Sequence, residues 1–363
     1  MLSIERRSEP SRTMVYTTPF LAVFLTIVAA FFLFTLMDKD PFKAITLIFF
    51  EPLTNMYGIS EMMVKATPLI LIGIGLSMGF RAGVWNIGAE GQFTMGAVTG
   101  SAVALYFHDV ESGFILPLMC LAGIAGGMAW AAIPAFLRAR FNTNEILVSL
   151  MLVYVATLIL SVLVHGPMRD PDGMNFPESR LFHASATLPL LLEGGRAHIG
   201  FIIALVVVAA AWVIYSRHTI GFQIKVVGEA EGAASYAGFQ KNKLVWLTFM
   251  TSGGLAGLAG LFEVAGPVGQ LVPAIPVGYG FTAIIVAFLG RLNPVGILLG
   301  GTLMALTYIG GESAQISMNL PSATISVFQG MLLFFLLASD ILINYRLKWT
   351  GKPVSTPKPA EEG

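Results

Sequence analysis

The chain has 363 residues, 55% of them hydrophobic and only 12% charged, with a mean hydropathy of +0.77, whereas an ordinary soluble domain carries about 25% charged residues. That balance excludes a water-soluble globular protein, and the single Cys120 excludes an internal disulfide or a multi-cysteine metal site. The net charge of +0 identifies no partner, because in a membrane chain the distribution of positive charge matters and the total does not; the bilayer is the expected partner and nucleic acid is not.

At the N-terminus, Arg6, Arg7 and Arg12 precede an apolar run that exceeds the roughly 7 to 15 residues of a signal-peptide core and lacks a small-residue cleavage site after it. Residues 1–16 are therefore expected to be a cytoplasmic segment ahead of an uncleaved first span. Unbroken apolar runs such as Phe20 to Met37 and Ile199 to Tyr215 fit helices and not the alternating strands of a barrel. The expected fold class is all-α: a polytopic membrane domain over 17–346 with about ten spans, at roughly 17–37, 62–80, 91–107, 114–137, 144–165, 198–216, 244–265, 277–290, 294–311 and 321–343. With the N-terminus inside, fifteen of the 21 Lys and Arg residues fall on inner segments and six outside, so the expected topology is N-in, C-in. The outer stretches 38–61 and 166–197 are long enough to carry structure, and the second either touches a soluble partner or is a solvated connector. The polar tail 347–363 is expected to be disordered.

Two spans look short, Thr67 to Phe80 and Val277 to Gly290, each ending near an arginine before a turn with asparagine and glycine. Interrupted helices in a membrane chain point to a passage, since irregular backbone at depth is tolerated only where protein or water satisfies it. The first interruption, FRAGVWNIGAEGQ (Phe80 to Gln92), places Asn86, Glu90 and Gln92 between apolar runs. These three, with Thr282 and Asn293 around the second, are the candidate pathway residues. Glu90 also opens the third span, where its carboxylate would favour the helix N-terminus; a capping role and a pathway role both stand. Asn144 and Glu145 open the fifth span after Arg138 and Arg140 and suit capping with charge pairing. Glu263, near the outer end of the seventh span, would face either the passage or the headgroups.

The longest inner loop, 217–243, encodes a short helix. Glu229 and Glu231 suit its first turn and Gly238 its end. Between them lie small residues, Ala230, Ala233, Ala234 and Ala237, with Tyr236 among them and Gly228 just before. About nine helical residues are marginal alone in water, so the segment is expected to dock on another surface, a partner's or this chain's own. No P-loop, H-E-x-x-H or G-x-S-x-G occurs, so no nucleotide, metal or hydrolytic chemistry is expected on this chain, and no cofactor.

FRAGVWNIGAEGQ resembles a hallmark of the permease subunits of ABC importers for simple sugars and nucleosides, in particular the nucleoside branch. NEILVSLMLVYVA (Asn144 to Ala156), VVGEAEGAASYAGF (Val226 to Phe239), GFTAIIVAFLGRLNPVG (Gly280 to Gly296) and Gln329-Gly330 resemble it too, in the same order. Val153 and Thr282 depart from the asparagine and aspartate expected of that pattern. The resemblance implies a pore subunit in a bacterial-type inner membrane, paired with a second, related permease chain. It further implies two cytoplasmic ATPase subunits, which alone bind ATP, and an extracytoplasmic solute-binding protein. On it, Gly228 to Gly238 would be the helix that couples to the ATPase. An ion-gradient-driven transporter of a small polar solute is the alternative; it leaves the alanine-rich inner helix without a purpose.

Overall fold

The computed structural model describes residues 2–6, 11–321 and 323–349. The elements in chain order are β1 (Leu2–Arg6), α1 (Arg12–Leu36), α2 (Pro41–Phe49), α3 (Met56–Arg81), α4 (Ala89–Tyr106), α5 (Ile115–Phe141), α6 (Glu145–His165), α7 (Gly200–Arg217), α8 (Thr219–Glu229), α9 (Glu231–Tyr236), α10 (Lys241–Glu263), α11 (Tyr279–Leu289), α12 (Pro294–Met318), α13 (Ala323–Asn344) and β2 (Tyr345–Trp349). They form two units, Met1–Ile45 with Leu320–Gly363, and Thr46–Asn319.

In the first unit α1 packs on α13. The buried positions of α1, Thr18, Ala22, Thr26, Ala30 and Phe34, recur every four residues and so lie along one side of the helix. β1 and β2 pair antiparallel from Leu2↔Trp349 to Arg6↔Tyr345. This ribbon is an addition to the all-α expectation, and it takes Leu347–Trp349 out of the tail expected to be disordered; 350–363 lie outside the described residues.

In the second unit, burial runs opposite to apolarity. The central window of α3 is 89% buried, whereas that of α6, the most apolar helix, is 22% buried. Lipid tails are as apolar as leucine, so hydrophobicity draws no helix inward and close packing through small residues decides which helices occupy the centre. α4, α5 and α10 meet that way: a Cβ on Gly96 would collide with the Gly257 backbone, and one on Gly127 with the Gly253 carbonyl.

All ten expected spans coincide with helices. Eight are long and apolar enough to cross a membrane; α4 is too polar for that measure, and α11 too short. The second span is not short, however. α3 runs 26 residues from Met56, capped by Asn55 through a 2.6 Å bond from Gly58 N, and carries Glu61 within it because Arg196 pairs with that carboxylate side-on, Nε to Oε1 at 2.8 Å. The eighth is short as expected: the 11 residues of α11 cover about 16 Å of a hydrocarbon layer roughly 30 Å thick. The irregular chain before α11 has Leu271 and Ile275 buried, and the 166–197 stretch pairs with it. Ser179 N donates to Leu271 O at 2.9 Å, Phe182 N to Gly269 O at 2.8 Å and Leu188 N to Ala265 O at 2.8 Å.

Candidate functional site: a bracketed half-helix and an exposed corner

α3 ends where Gly83 takes φ +71 and Val84 N turns back to Gly79 O at 2.9 Å. The chain re-enters through Asn86, whose Oδ1 accepts from Gly88 N at 3.0 Å. Asn86 and Gln92 then bond reciprocally, Nδ2 to Oε1 at 2.9 Å and Nε2 to Oδ1 at 3.1 Å, and Asn86 Nδ2 also reaches Ser252 Oγ of α10 at 3.0 Å. Ser149 of α6 accepts from Ile87 N at 3.2 Å. The loop is thereby tied to α6 and α10.

Glu90 lies in the first turn of α4, as expected, but its carboxylate serves another helix. Oε1 accepts from Gly278 N at 2.7 Å and Oε2 from Gly280 N at 2.5 Å, the first amides of α11. The N-cap of α11 is Gly278, which has no side chain to offer and sits at φ +93. A helix whose N-cap residue cannot accept needs an acceptor from elsewhere, and Glu90 provides it with a charge suited to that end of the dipole. Only glycine fits at 280, where a Cβ would lie 2.7 Å from Glu90 Cα.

The other end of α11 is held by the same hairpin. Its following turn puts Arg291 and Leu292 at positive φ, and Arg81 Nε donates to Leu292 O at 2.9 Å. Arg81 also stacks on Tyr215, 4.3 Å from the ring centroid, and Tyr215 bonds Ser77 at 2.9 Å. The two charged residues of FRAGVWNIGAEGQ therefore bracket the half-helix, anion at its N-terminus and cation at its C-terminus, with Phe80 and Trp85 stacked on Phe288 between them.

Asn86, Glu90 and Gln92 are thus brought together, but not around an open lumen: all are at most 2% exposed, and their polar groups bond within the chain. In this conformation their polar groups are satisfied inside the chain, since groups left unsatisfied in a low-dielectric interior are costly. Thr282 lies on α11 and shares a 2.9 Å bond with Tyr308 of α12. Asn293, exposed beyond the far end of α11, caps α12 through a 3.0 Å bond from Val295 N. Val153 packs against Gly91. Asn144 caps α6 and Glu145 pairs with Arg138 at 3.4 Å, as expected. Ser149, Ser252, Gly278 and Gly280 escaped the sequence, since small residues in apolar helices or glycine-rich turns carry no spacing signal.

The inner corner differs from expectation in register. Glu229 ends α8 instead of opening the next helix, because Ala230 leaves helical geometry at φ −152, ψ 80. α9 then spans six residues, Glu231–Tyr236, not nine. Gly238 stops the segment at φ +78, as expected. Glu231 is tied to Lys241 at 2.6 Å, and that ammonium holds its carboxyl below the usual range. Ala233, Tyr236 and Ala237 are exposed, Tyr236 at 97%. Ala234 instead faces inward, in a buried cluster with Ile224, Val227, Leu244, Val245 and Phe249 that reaches Met78, Ala82 and Val84. Gly228 abuts the Arg81 carbonyl. The corner thus presents small residues and the Tyr236 side chain outward and leans on the end of α3.

Over residues 58–337 the chain matches the family described as branched-chain amino acid transport system, permease component. It belongs to that family. The glucose ABC transporter permease protein TsgB13 of Haloferax volcanii is 36% identical over 95% of this chain and 94% of its own length. The guanosine ABC transporter permease protein NupP of Bacillus subtilis is 31% identical over 78% of this chain and 82% of its own. The nucleoside ABC transporter permease protein NupB of Lactococcus lactis is 25% identical over 92% and 93%. This permease component is accordingly a membrane subunit and not an enzyme; ATP hydrolysis in such a transporter resides on a separate subunit.

Proposed function

We propose that this permease imports a nucleoside or a simple sugar across the inner membrane of a bacterial-type cell, with both termini cytoplasmic. It would pair with a second, related permease, receive solute from an extracytoplasmic binding protein and bind no cofactor itself. The observation that carries the reading is the α8–α9 corner: an exposed run of small residues on a buried apolar foot, adjoining the end of α3. A cytoplasmic ATPase seated on α9 would push through Ala234 and Gly228 onto Arg81, and hence onto the bracket around α11. ATP would act by binding the closed state more tightly than the open one.

Co-purification tests it. Ala233→Arg places a bulky charge on the exposed face and is expected to reduce ATPase capture at least about tenfold, a loss of roughly 1.4 kcal/mol, while the permease itself folds normally. Ala234→Arg would instead unfold the corner. Retention of ATPase by Ala233→Arg, together with uptake that survives ATP depletion but not collapse of the ion gradient, would refute the proposal.

A further inference from the structure

Where α10 passes into the π-helical turn Val264–Val268, Glu263 is set in the interior, 9% exposed. Turns of that kind recur at functional sites. Among the described residues its one hydrogen bond is long, 3.4 Å from Tyr279 Oη. Lys65 of α3 is near enough for its charge to act on Glu263, yet no ion pair joins them. The Lys65 ammonium lies over the Tyr279 ring instead, 5.5 Å from the centroid. Tyr279 stands edge-on to Tyr308, centroids 6.2 Å apart, and Tyr308 shares its hydroxyl bond with Thr282.

One helical turn away in α3, Glu61 does close onto Arg196, so direct pairing is open to neighbours of this cluster. An acid and a base that meet on one tyrosine without pairing, the base over its ring and the acid at its hydroxyl, are expensive inside a membrane protein unless a third group bridges them. Tyr279 is fully buried and acts as the spacer, whereas Lys65 and Tyr308 are half-buried and can be reached. The bridging group must accept from an ammonium and donate to a carboxylate, which a hydroxyl does. A solute without net charge suits it, since Lys65 offsets Glu263 and Arg196 offsets Glu61, the other charges that act on Glu263.

We propose that Lys65, Glu263, Tyr308 and Thr282, spaced by Tyr279, form a transient contact site for a neutral, hydroxyl-rich solute. One solute hydroxyl bridges Lys65 and Glu263, the Tyr308 ring covers the apolar face of a sugar ring, and the Thr282–Tyr308 hydroxyl pair opens to bond a second hydroxyl. The inference rests on the transport function proposed above and deepens it: the permease reads the hydroxyl pattern of the solute.

The test is uptake by the complete complex in proteoliposomes, with radiolabelled D-glucose and guanosine and the mono-deoxy analogues of each, all at concentrations that saturate the binding protein. The wild type is expected to import one parent at least about tenfold faster than one of its deoxy analogues, the loss of a bond to a charged group. Glu263→Gln and Lys65→Met are expected to bring that ratio close to one, and Tyr308→Phe to do the same for the analogue lacking the second hydroxyl, while the ATPase still co-purifies. Tyr308→Phe keeps the ring and removes one oxygen, so it carries the test should Glu263→Gln fail to assemble. Equal slowing of parent and analogue, or unaltered discrimination, would overturn the site. A wild type that imports neither parent overturns the solute class, whereas wild-type uptake that does not depend on ATP overturns the transport function itself.

Discussion

Replacing Glu90 by glutamine keeps the size of the side chain and removes its charge, and the cost follows from the two amides it serves. The carboxylate accepts Gly278 N and Gly280 N on separate oxygens. Glutamine retains one oxygen, and its amide nitrogen would present hydrogens to the other N–H. One buried donor is then left unsatisfied, about 1 to 3 kcal/mol, and the loss of the anion at the helix N-terminus adds about 0.3 to 1 kcal/mol. Relief of the buried charge acts in the opposite direction, but it is limited where both oxygens are already hydrogen-bonded. A net local cost of about 1 to 3 kcal/mol remains, or a factor of roughly 5 to 150 in the equilibrium for opening the start of α11. Hydrogen exchange at Gly278–Thr282 in the purified protein should accelerate by that factor while the core of α3 stays protected. ATP-driven uptake should fall with the ATPase still bound. Unchanged exchange at these amides would refute the capping argument, whatever happened to transport.

Gly127→Val inserts a branched side chain against the Gly253 carbonyl; with no room between α5 and α10, overpacking of at least about 1 to 3 kcal/mol should show as a lowered Tm in detergent and poor yield. Arg196→Gln leaves the Glu61 carboxylate buried without its cation, but Arg196 is itself half exposed, so the expected loss is about 1 to 2 kcal/mol, between the surface and buried limits, read by thermal unfolding. Arg81→Met and Glu90→Gln together should cost less than the sum of the two in a double-mutant cycle on ATP-driven uptake, since either releases one end of the same helix; coupling below about 0.5 kcal/mol would mean that the two ends act separately.

Among the described residues each segment expected to span coincides with a helix, because a run of apolar residues has few alternatives in a membrane protein. What hydropathy missed depended on partners remote in sequence. The outer stretch is expected to run to residue 61, yet α3 begins at Met56 and carries Glu61, neutralised by a residue 135 positions away. The polar set Asn86, Glu90 and Gln92 was conspicuous as a pattern, but its purpose lay in what it touches. Ser252 and the amides of Gly278 and Gly280 are small groups in apolar or glycine-rich surroundings, and nothing in their spacing reveals that they are bonded. At the inner corner, alternating glutamate and small residues fit several helix registers equally, and the break at Ala230 comes from packing: Val227 and Ala234 must both reach the buried cluster, and the bend at Ala230 lets them.

The bracket also explains why a helix of 11 residues suffices where a full crossing needs about 20. A short helix with free ends frays, since its first amides and last carbonyls lack partners. Here an anion and a cation from one hairpin hold opposite ends, Glu90 on the amides and Arg81 on the carbonyl just past the C-terminus, so α11 has little freedom to bend or slide apart from α3 and α4. On the proposed function, a displacement arriving at the Arg81 backbone through Gly228 would be carried into α11 as a rigid body instead of being absorbed by fraying. On that proposal the interruption read in the sequence as part of a passage would also be the joint through which such a displacement travels.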